Sequence, residues 1–229
     1  DVQAISKIVK QSNTLLVVDN TFLTPIFQTP FKLGADIVIH STTKYINGHT
    51  DIVGGIVVTK DKALHQTMQE WANILGLSGA PFDSYLTLRG LRTLGIRMQQ
   101  HEKNAVAIVE LLSNHPKVGN VYYPGLSDHP SHSIAKKQQS GFGGMLSFII
   151  EGGVETADSF ISKLDIPIST ASLGGVESLI TRPVQTSHSL LSDDELEFAG
   201  IDKALIRLSV GIEAVDDLID DMSQALDAI

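Results

Sequence analysis

Cysteine is absent from all 229 residues, which removes disulfides, thiolate metal sites and a cysteine nucleophile from consideration. Cations are the minority charge. Seventeen Lys and Arg face 26 Asp and Glu for a formal net charge of -9, with no basic cluster, so a nucleic-acid partner, which needs a basic face, is not expected. No apolar run approaches the roughly 18 residues of a membrane span, so no membrane partner is expected. The opening DVQAISKIVKQ lacks the basic start and apolar middle of a secretory signal. Internal repeats and low-complexity tracts are also missing. What is present is a 42% apolar fraction, enough to build a core. The expectation is a soluble, cytoplasmic globular protein.

Short apolar runs alternate with helical patterns. TLLVVD (14–19), ADIVIH (35–40) and GGIVVT (54–59) read as strands covered on both faces of an α/β sheet. Helical spacing follows over 61–75, and a longer helical stretch over 83–113 is interrupted by Gly90 and Gly95, which mark a kink at a domain boundary. Further on, VGNVYY, MLSFII and ALIRLSV read as strands, and VETADSFISKL and AVDDLIDDMSQAL as helices. The predicted organisation is an α/β domain over 1–96 followed by a second, α+β domain from about residue 97 onward. The chain opens without methionine, on a helical pattern (Val2, Ile5, Ile8, Val9) that runs straight into a buried-looking strand. This reads as the middle of a domain, so an N-terminal portion is expected to be missing.

HSTTKYINGHTDIVGG (40–55) places Ser41, Thr42, Thr43 and Lys44 at the end of an apolar strand. Sheets of this kind present ligand sites at the carboxyl ends of their strands, and Asp19 ends another strand 25 positions upstream. A carboxylate, hydroxyls and an amine in one small volume suit pyridoxal phosphate (PLP). Its aldehyde needs a lysine amine, its protonated ring nitrogen a carboxylate, and its phosphate hydroxyl and N–H donors. Lys44, Asp19, and Ser41 with Thr43 would fill those roles. A plainer reading fits the same residues: Asp19 as a turn or N-cap residue, Lys44 as a solvated surface group, Ser and Thr as satisfiers of loop backbone. Ser41–Lys44 also matches the S-x-x-K of penicillin-binding proteins, although the S-D-N and K-T-G tripeptides of that family are absent.

Beyond these residues, VVDNTF (17–22), the lysine stretch (40–55), FDSYLTLRGLRTL (82–94), SGFGGMLSF (140–148), SLGGVESLI (172–180) and IRLSVGIE (206–213) resemble, in order, the blocks of the Cys/Met-metabolism (transsulfuration) family of PLP enzymes. The resemblance covers essentially the whole chain. It implies the fold type I, aspartate-aminotransferase-like large domain with a mixed, mostly parallel sheet, of which residues 1–96 would be the C-terminal part, and a smaller α+β C-terminal domain over 97–229. It also implies Lys44 as the Schiff-base lysine, Asp19 as partner of the ring nitrogen, Ser41 and Thr43 as phosphate ligands, Arg207 as the binder of the substrate α-carboxylate, and Ser172 as a residue near lysine and substrate. No metal is implied, and His129 and His132, in a Pro/Ser loop, read as structural, as do Arg89, Arg92 and Arg97.

Within the family, WANILGLSGAPFDSYLTLRGLRTL (71–94) looks most like bacterial cystathionine γ-synthases, which join an acyl-homoserine to cysteine. Ala171 departs from the pattern. Many γ-synthases and γ-lyases carry there a glutamate that contacts the distal end of the substrate, and its absence leaves room for an O-acetylhomoserine sulfhydrylase or a lyase of different specificity; cystathionine γ-lyase is the next reading after the synthase. The resemblance further implies amino-acid substrates and a homotetramer with sites shared between subunits. The family's N-terminal third, with its ring-stacking tyrosine, is not matched. A reading of a different class is an inactive fold serving binding or assembly, which the retention of Lys44 disfavours.

Overall fold

The structure, a computed structural model, describes residues 1–229. It divides into two compact units, one of Asp1–Ile96 with Ser133–Gly141, the other of Arg97–His132 with Phe142–Ile229.

In the first unit, helix α1 (Val2–Val9) precedes a sheet of strands β1 (Val17–Asp19), β2 (Ile37–Ser41) and β3 (Gly55–Thr59), in that order. β1 and β2 run parallel with Asp19 opposite Ile39, and β3 returns antiparallel to β2. β1 is shorter than the apolar run predicts. The turn at Asp36 captures Leu16, whose N–H donates to the Asp36 carboxylate at 2.8 Å and whose carbonyl accepts from Asp36 N at 2.9 Å, so regular pairing begins at Val17. α1 is tied to the approach to β2 by Ser6, whose hydroxyl donates to the Gly34 carbonyl at 3.1 Å. A Cβ on Gly34 would stand 2.1 Å from that hydroxyl oxygen, and φ there is +100°, so only glycine fits.

A short helix, α2 (Thr24–Phe27), lies between β1 and β2, and α3 (Lys62–Leu75) follows β3. Asp61 caps α3 by accepting from Leu64 N at 2.8 Å, and Gly76 ends it in the left-handed conformation, the asymmetry expected of helix ends. The helical stretch expected over 83–113, with its interruption, is two helices, α4 (Pro81–Leu91) and α5 (Leu94–Ser113). The break falls at Arg92–Thr93, where the Thr93 N–H and hydroxyl both turn back to the Gly90 carbonyl at 3.1 Å. Gly90 itself serves close approach. A Cβ there would lie 2.2 Å from the Asn47 carbonyl oxygen, so α4 can rest directly on the segment after Lys44. Helix α6 (His132–Gln138) brings the chain back to this unit, where Val2 N donates to the Gln138 side chain at 3.1 Å and Ser140 N to the Phe27 carbonyl at 2.8 Å.

The second unit contains strands β4 (Val118–Tyr122), β5 (Met145–Ile150), β6 (Ile168–Ser169), β7 (Leu179–Thr181) and β8 (Leu205–Ser209), in the order β4-β5-β8-β7-β6. All neighbouring pairs are antiparallel except β6 with β7. The period-2 alternation of β5 and β8 buries Leu146, Phe148, Ile150, Ile206 and Leu208 in one core with residues of α5, α7 (Val154–Ser162) and α9 (Val215–Asp227). Phe148 and Phe160 meet edge to face at 5.9 Å, a favoured aromatic geometry. The same alternation turns Arg207 away from that core, in register with Ser147 on one side and Thr181 on the other. Helix α8 (Asp193–Phe198) is started by a capping box of Ser192 and Glu195. Both sheets are mixed, within the α/β architecture that the alternating strands and helices predict.

Candidate active site

Parallel pairing of β1 with β2 sets Asp19 and Ser41 at the same, carboxyl end of adjacent strands. Thr21 links them. Its N–H donates to Asp19 Oδ1 at 2.9 Å, and its hydroxyl oxygen accepts from Ser41 N at 2.8 Å. Asn20 N donates to the Ile39 carbonyl at 2.9 Å, while the buried Asn20 amide donates to the carbonyls of Thr24 and Gln28 at 2.9 and 3.0 Å. Asp19 therefore projects from a strand end that is fastened on both sides, with its carboxylate exposed.

After Ser41 the chain makes one wide turn, Thr42–Ile46, with Lys44 departing from helical geometry at φ -92°, ψ -137°. The turn is anchored by buried neighbours, Thr42, Tyr45, Ile46 and Asn47. It is closed by Asn47 N on the Thr42 carbonyl at 3.1 Å and Gly48 N on the Lys44 carbonyl at 2.8 Å. Lys44 is half-buried among these fixed neighbours. The two hydroxyls differ in their engagement. Thr43 Oγ1 accepts from Gly54 N at 3.0 Å and donates to the Gly54 carbonyl at 3.3 Å, whereas the Ser41 hydroxyl makes no hydrogen bond within the chain.

The adjoining His40 is buried on the other face of β2. Burial lowers its pKa, against the opposing effects of a backbone hydrogen bond with Asn20 and the charge of Asp19. Beyond Lys44, Asn47, His49, Asp51, Arg89 and Thr93 help line a cavity of about 150 Å³. Inside it Asn47 donates to the Asp51 carboxylate at 2.6 Å and His49 Nδ1 meets the Asn47 carbonyl at 2.6 Å.

In the second unit the structure brings Arg207 and Ser172 together: Arg207 Nη2 donates to the Ser172 carbonyl at 2.9 Å. Ser172 holds φ at +89°, a left-handed conformation that costs a non-glycine residue on the order of 1 kcal/mol or more. Ser209 Oγ accepts from Gly174 N at 2.9 Å, so the loop carrying Ser172 is stitched along β8. Arg97 is buried, and His132 Nδ1 meets the Pro124 carbonyl at 2.9 Å while its ring stacks on Phe142.

Residues 1–227 match the family model described as Cys/Met metabolism PLP-dependent enzyme. The chain belongs to that family. It is 48% identical over 227 residues to a cystathionine gamma-lyase of Dictyostelium discoideum, a match covering 99% of this chain and 59% of the relative. It is 47% identical over 233 residues to an L-methionine gamma-lyase of Fusobacterium nucleatum subsp. polymorphum, covering 100% and 58%. Among solved structures, cystathionine gamma synthase from Xanthomonas oryzae pv. oryzae, crystallised in complex with aminoacrylate and cysteine, superposes with a TM-score of 0.97 at 50% identity, covering 99% of this chain and 59% of that one. The fold is thus that of the PLP-dependent transsulfuration enzymes, fold type I. The chain spans a little under three fifths of the length of these relatives.

Thr21 and Asn20, which brace the strand ends that carry Asp19 and Ser41, are not singled out by the sequence. Both stand inside VVDNTF, but their role depends on a neighbouring strand, and nothing local marks it.

Proposed function

We propose that the chain is the lysine-bearing part of a PLP-dependent sulfur amino acid enzyme that performs a cystathionine γ-synthase-like γ-replacement, joining an acyl-homoserine to cysteine. One observation carries the cofactor-dependent part of the reading: in a chain that matches this family over residues 1–227, Lys44 and Asp19 come from the same end of two adjacent parallel strands; the synthase part rests on the 71–94 stretch. The donor set fits the cofactor, with an exposed carboxylate on Asp19, an uncommitted hydroxyl on Ser41 and a half-buried amine on Lys44. Asp19 would pair with the ring nitrogen, and Ser41, assisted by Thr43, would hold the phosphate. Thr43 can do so only by giving up its long bond to Gly54. When bound, PLP supplies an electron sink for the charge that develops at the substrate α-carbon. Arg207 binds the α-carboxylate with its planar fork of donors, and Ser172 lies beside it. Lys44 Nζ takes the α-proton and returns one further along the chain, the general-base role that its place permits.

A second reading is supported by the relatives' names, which include gamma-lyases at the same level of identity, and by Ala171, which offers no carboxylate to a distal ammonium group. Under it the enzyme releases a keto acid and ammonia, or takes sulfide as an O-acetylhomoserine sulfhydrylase does. We place the enzyme in the cytoplasm as a homotetramer whose subunits complete one another's sites, with residues 1–96, joined by 133–141, in the cofactor-binding large domain and the rest of 97–229 in the smaller C-terminal domain. The test gives the full-length enzyme acyl-homoserine with cysteine, acyl-homoserine with sulfide, or cystathionine alone. Cystathionine formed from the first pair is the expected result, and its absence rejects the synthase. Visible absorbance gained on adding PLP and lost in Lys44→Ala is expected; equal spectra for the two proteins would reject the cofactor reading and leave a binding or assembly module.

A further inference from the structure

Two side chains of α5 with no solvent exposure, His101 and Asn104, are spent on a single short turn. That turn, residues 210–213, follows directly on β8 and so begins three residues after Arg207. His101 Nδ1 meets the Val210 carbonyl at 2.7 Å, and because a carbonyl only accepts, that nitrogen carries the proton. Asn104 Nδ2 donates to the carbonyls of Gly211 and Glu213 at 3.1 and 2.9 Å, and Gln100 fixes its other end by donating to Oδ1 at 2.7 Å. From its opposite side the turn grips the loop that carries Ser172. Gly211 N donates to Ser178 Oγ at 2.8 Å and Ile212 N to the Val176 carbonyl at 2.8 Å, while Ser178 donates through N and Oγ to the Glu213 carboxylate at 2.6 and 3.0 Å. A Cβ on Gly211 would fall 2.5 Å from the Val176 carbonyl oxygen. The chain of contacts runs from α5 through the turn and the loop to Ser172, whose carbonyl receives Arg207.

We propose that His101 and Asn104 are positioning residues for substrate-carboxylate recognition, holding the 210–213 turn so that Arg207 and the Ser172 loop keep one fixed register. The inference rests on the reading of Arg207 as the carboxylate-binding residue. Packing alone does not call for these side chains, because apolar residues would fill the space without needing partners. Three hydrogen bonds to the backbone of one turn instead fix where the strand before it ends. Burial drives the His101 pKa down to about 4, with Arg97 adding to the effect and the Val210 bond and Glu177 opposing it. The ring therefore stays neutral and keeps its single N–H on Val210.

The test uses the full-length, PLP-loaded enzyme and reads ligand binding from its visible spectrum. It compares an amino acid with the amine that lacks only the carboxylate. His101→Leu and Asn104→Leu are expected to weaken the amino acid about tenfold, the size of losing one to two backbone hydrogen bonds, and to leave the amine unchanged. His101→Asn, whose amide N–H stands where Nδ1–H stood, recovers most of the loss. Asn104→Ser gives the same reading if a leucine variant precipitates. Equal weakening of both ligands, undiminished amino-acid binding, or no recovery in His101→Asn would show a role in stability only and overturn the proposal. Arg207→Ala separates the two levels. If it too leaves the amino acid-to-amine ratio intact, the carboxylate reading falls and takes this proposal with it; if it collapses the ratio and the α5 variants do not, only the positioning role falls.

Discussion

Asp19 shows how little of a proposed functional role is in the residue itself. Its carboxylate is exposed and spends one oxygen on Thr21 N, so Asp19→Asn keeps the shape of the strand end and removes only the charge. In the proposed role that charge faces the ring nitrogen of PLP. The expected outcome is retained cofactor absorbance with kcat lower by about a hundredfold or more, the scale of removing a preorganised electrostatic partner; unchanged turnover would remove Asp19 from the site. His101 gives a prediction of another kind. Its pKa falls from 6.5 in the unfolded chain to about 4 in the fold, so below 6.5 the unfolded chain takes up a proton that the folded one refuses. Its contribution is intact above pH 6.5 and declines as pH falls toward 4, by about 3 kcal/mol in all. Denaturant midpoints measured across that window should drop, and the drop should flatten in His101→Asn. The placement of Asp19 and Lys44 at the ends of strands was legible because a strand end advertises itself in the sequence. Thr21, His101 and Asn104 were not, since Thr21 finds Ser41 20 positions away and the α5 pair reaches a turn more than 100 positions away.

Among the elements, legibility followed how much of each was decided locally. α3, with Asp61 at its start and Gly76 at its end, carries its own caps, and β5 carries its own alternation. β6 and β7, only two and three residues long, exist because β8 pairs with β7 and β7 with β6, and nothing within them says so. Gly90 is the instructive case. Its glycine reads as a helix breaker, and the helix does end close by. Yet what requires glycine there is the Asn47 carbonyl, 2.2 Å from the position a Cβ would take. Gly90→Ala must push α4 off the segment that follows Lys44. The expected cost is roughly 1–3 kcal/mol of stability, accompanied by weaker PLP affinity because the lysine turn shifts with Asn47. Gly95→Ala, whose added Cβ would meet only the tip of the Ile26 side chain at 3.9 Å, should leave both unchanged. A Gly90→Ala enzyme that binds PLP normally would show that the packing of α4 does not govern the lysine turn.

At the scale of the molecule, the two sheets differ in how completely the chain covers them. The second unit buries Phe148, Ile150, Ile206 and Leu208 to within 1% of complete. In the first, β2 alone has a strand on each side, and β1 and β3 present open edges. Those edges are apolar, with Val17 48% and Val57 53% exposed, and Trp71, Ile74 and Phe82 on the following helices are more exposed still. Open apolar edges recruit other strands, and apolar surface gathered in this way favours association. The 229 residues expressed by themselves are therefore expected to self-associate and to show no turnover, while the protein at the full length of its relatives is expected to remain dispersed and active. Val57→Lys, a charge set on the outer strand, should reduce the association without restoring activity, because it blunts an edge and supplies nothing to the site. Light scattering and a turnover assay on the three proteins decide the matter. A dispersed, active 229-residue chain would mean that the exposed faces of β1 and β3 close on one another or on a second copy without help from further sequence.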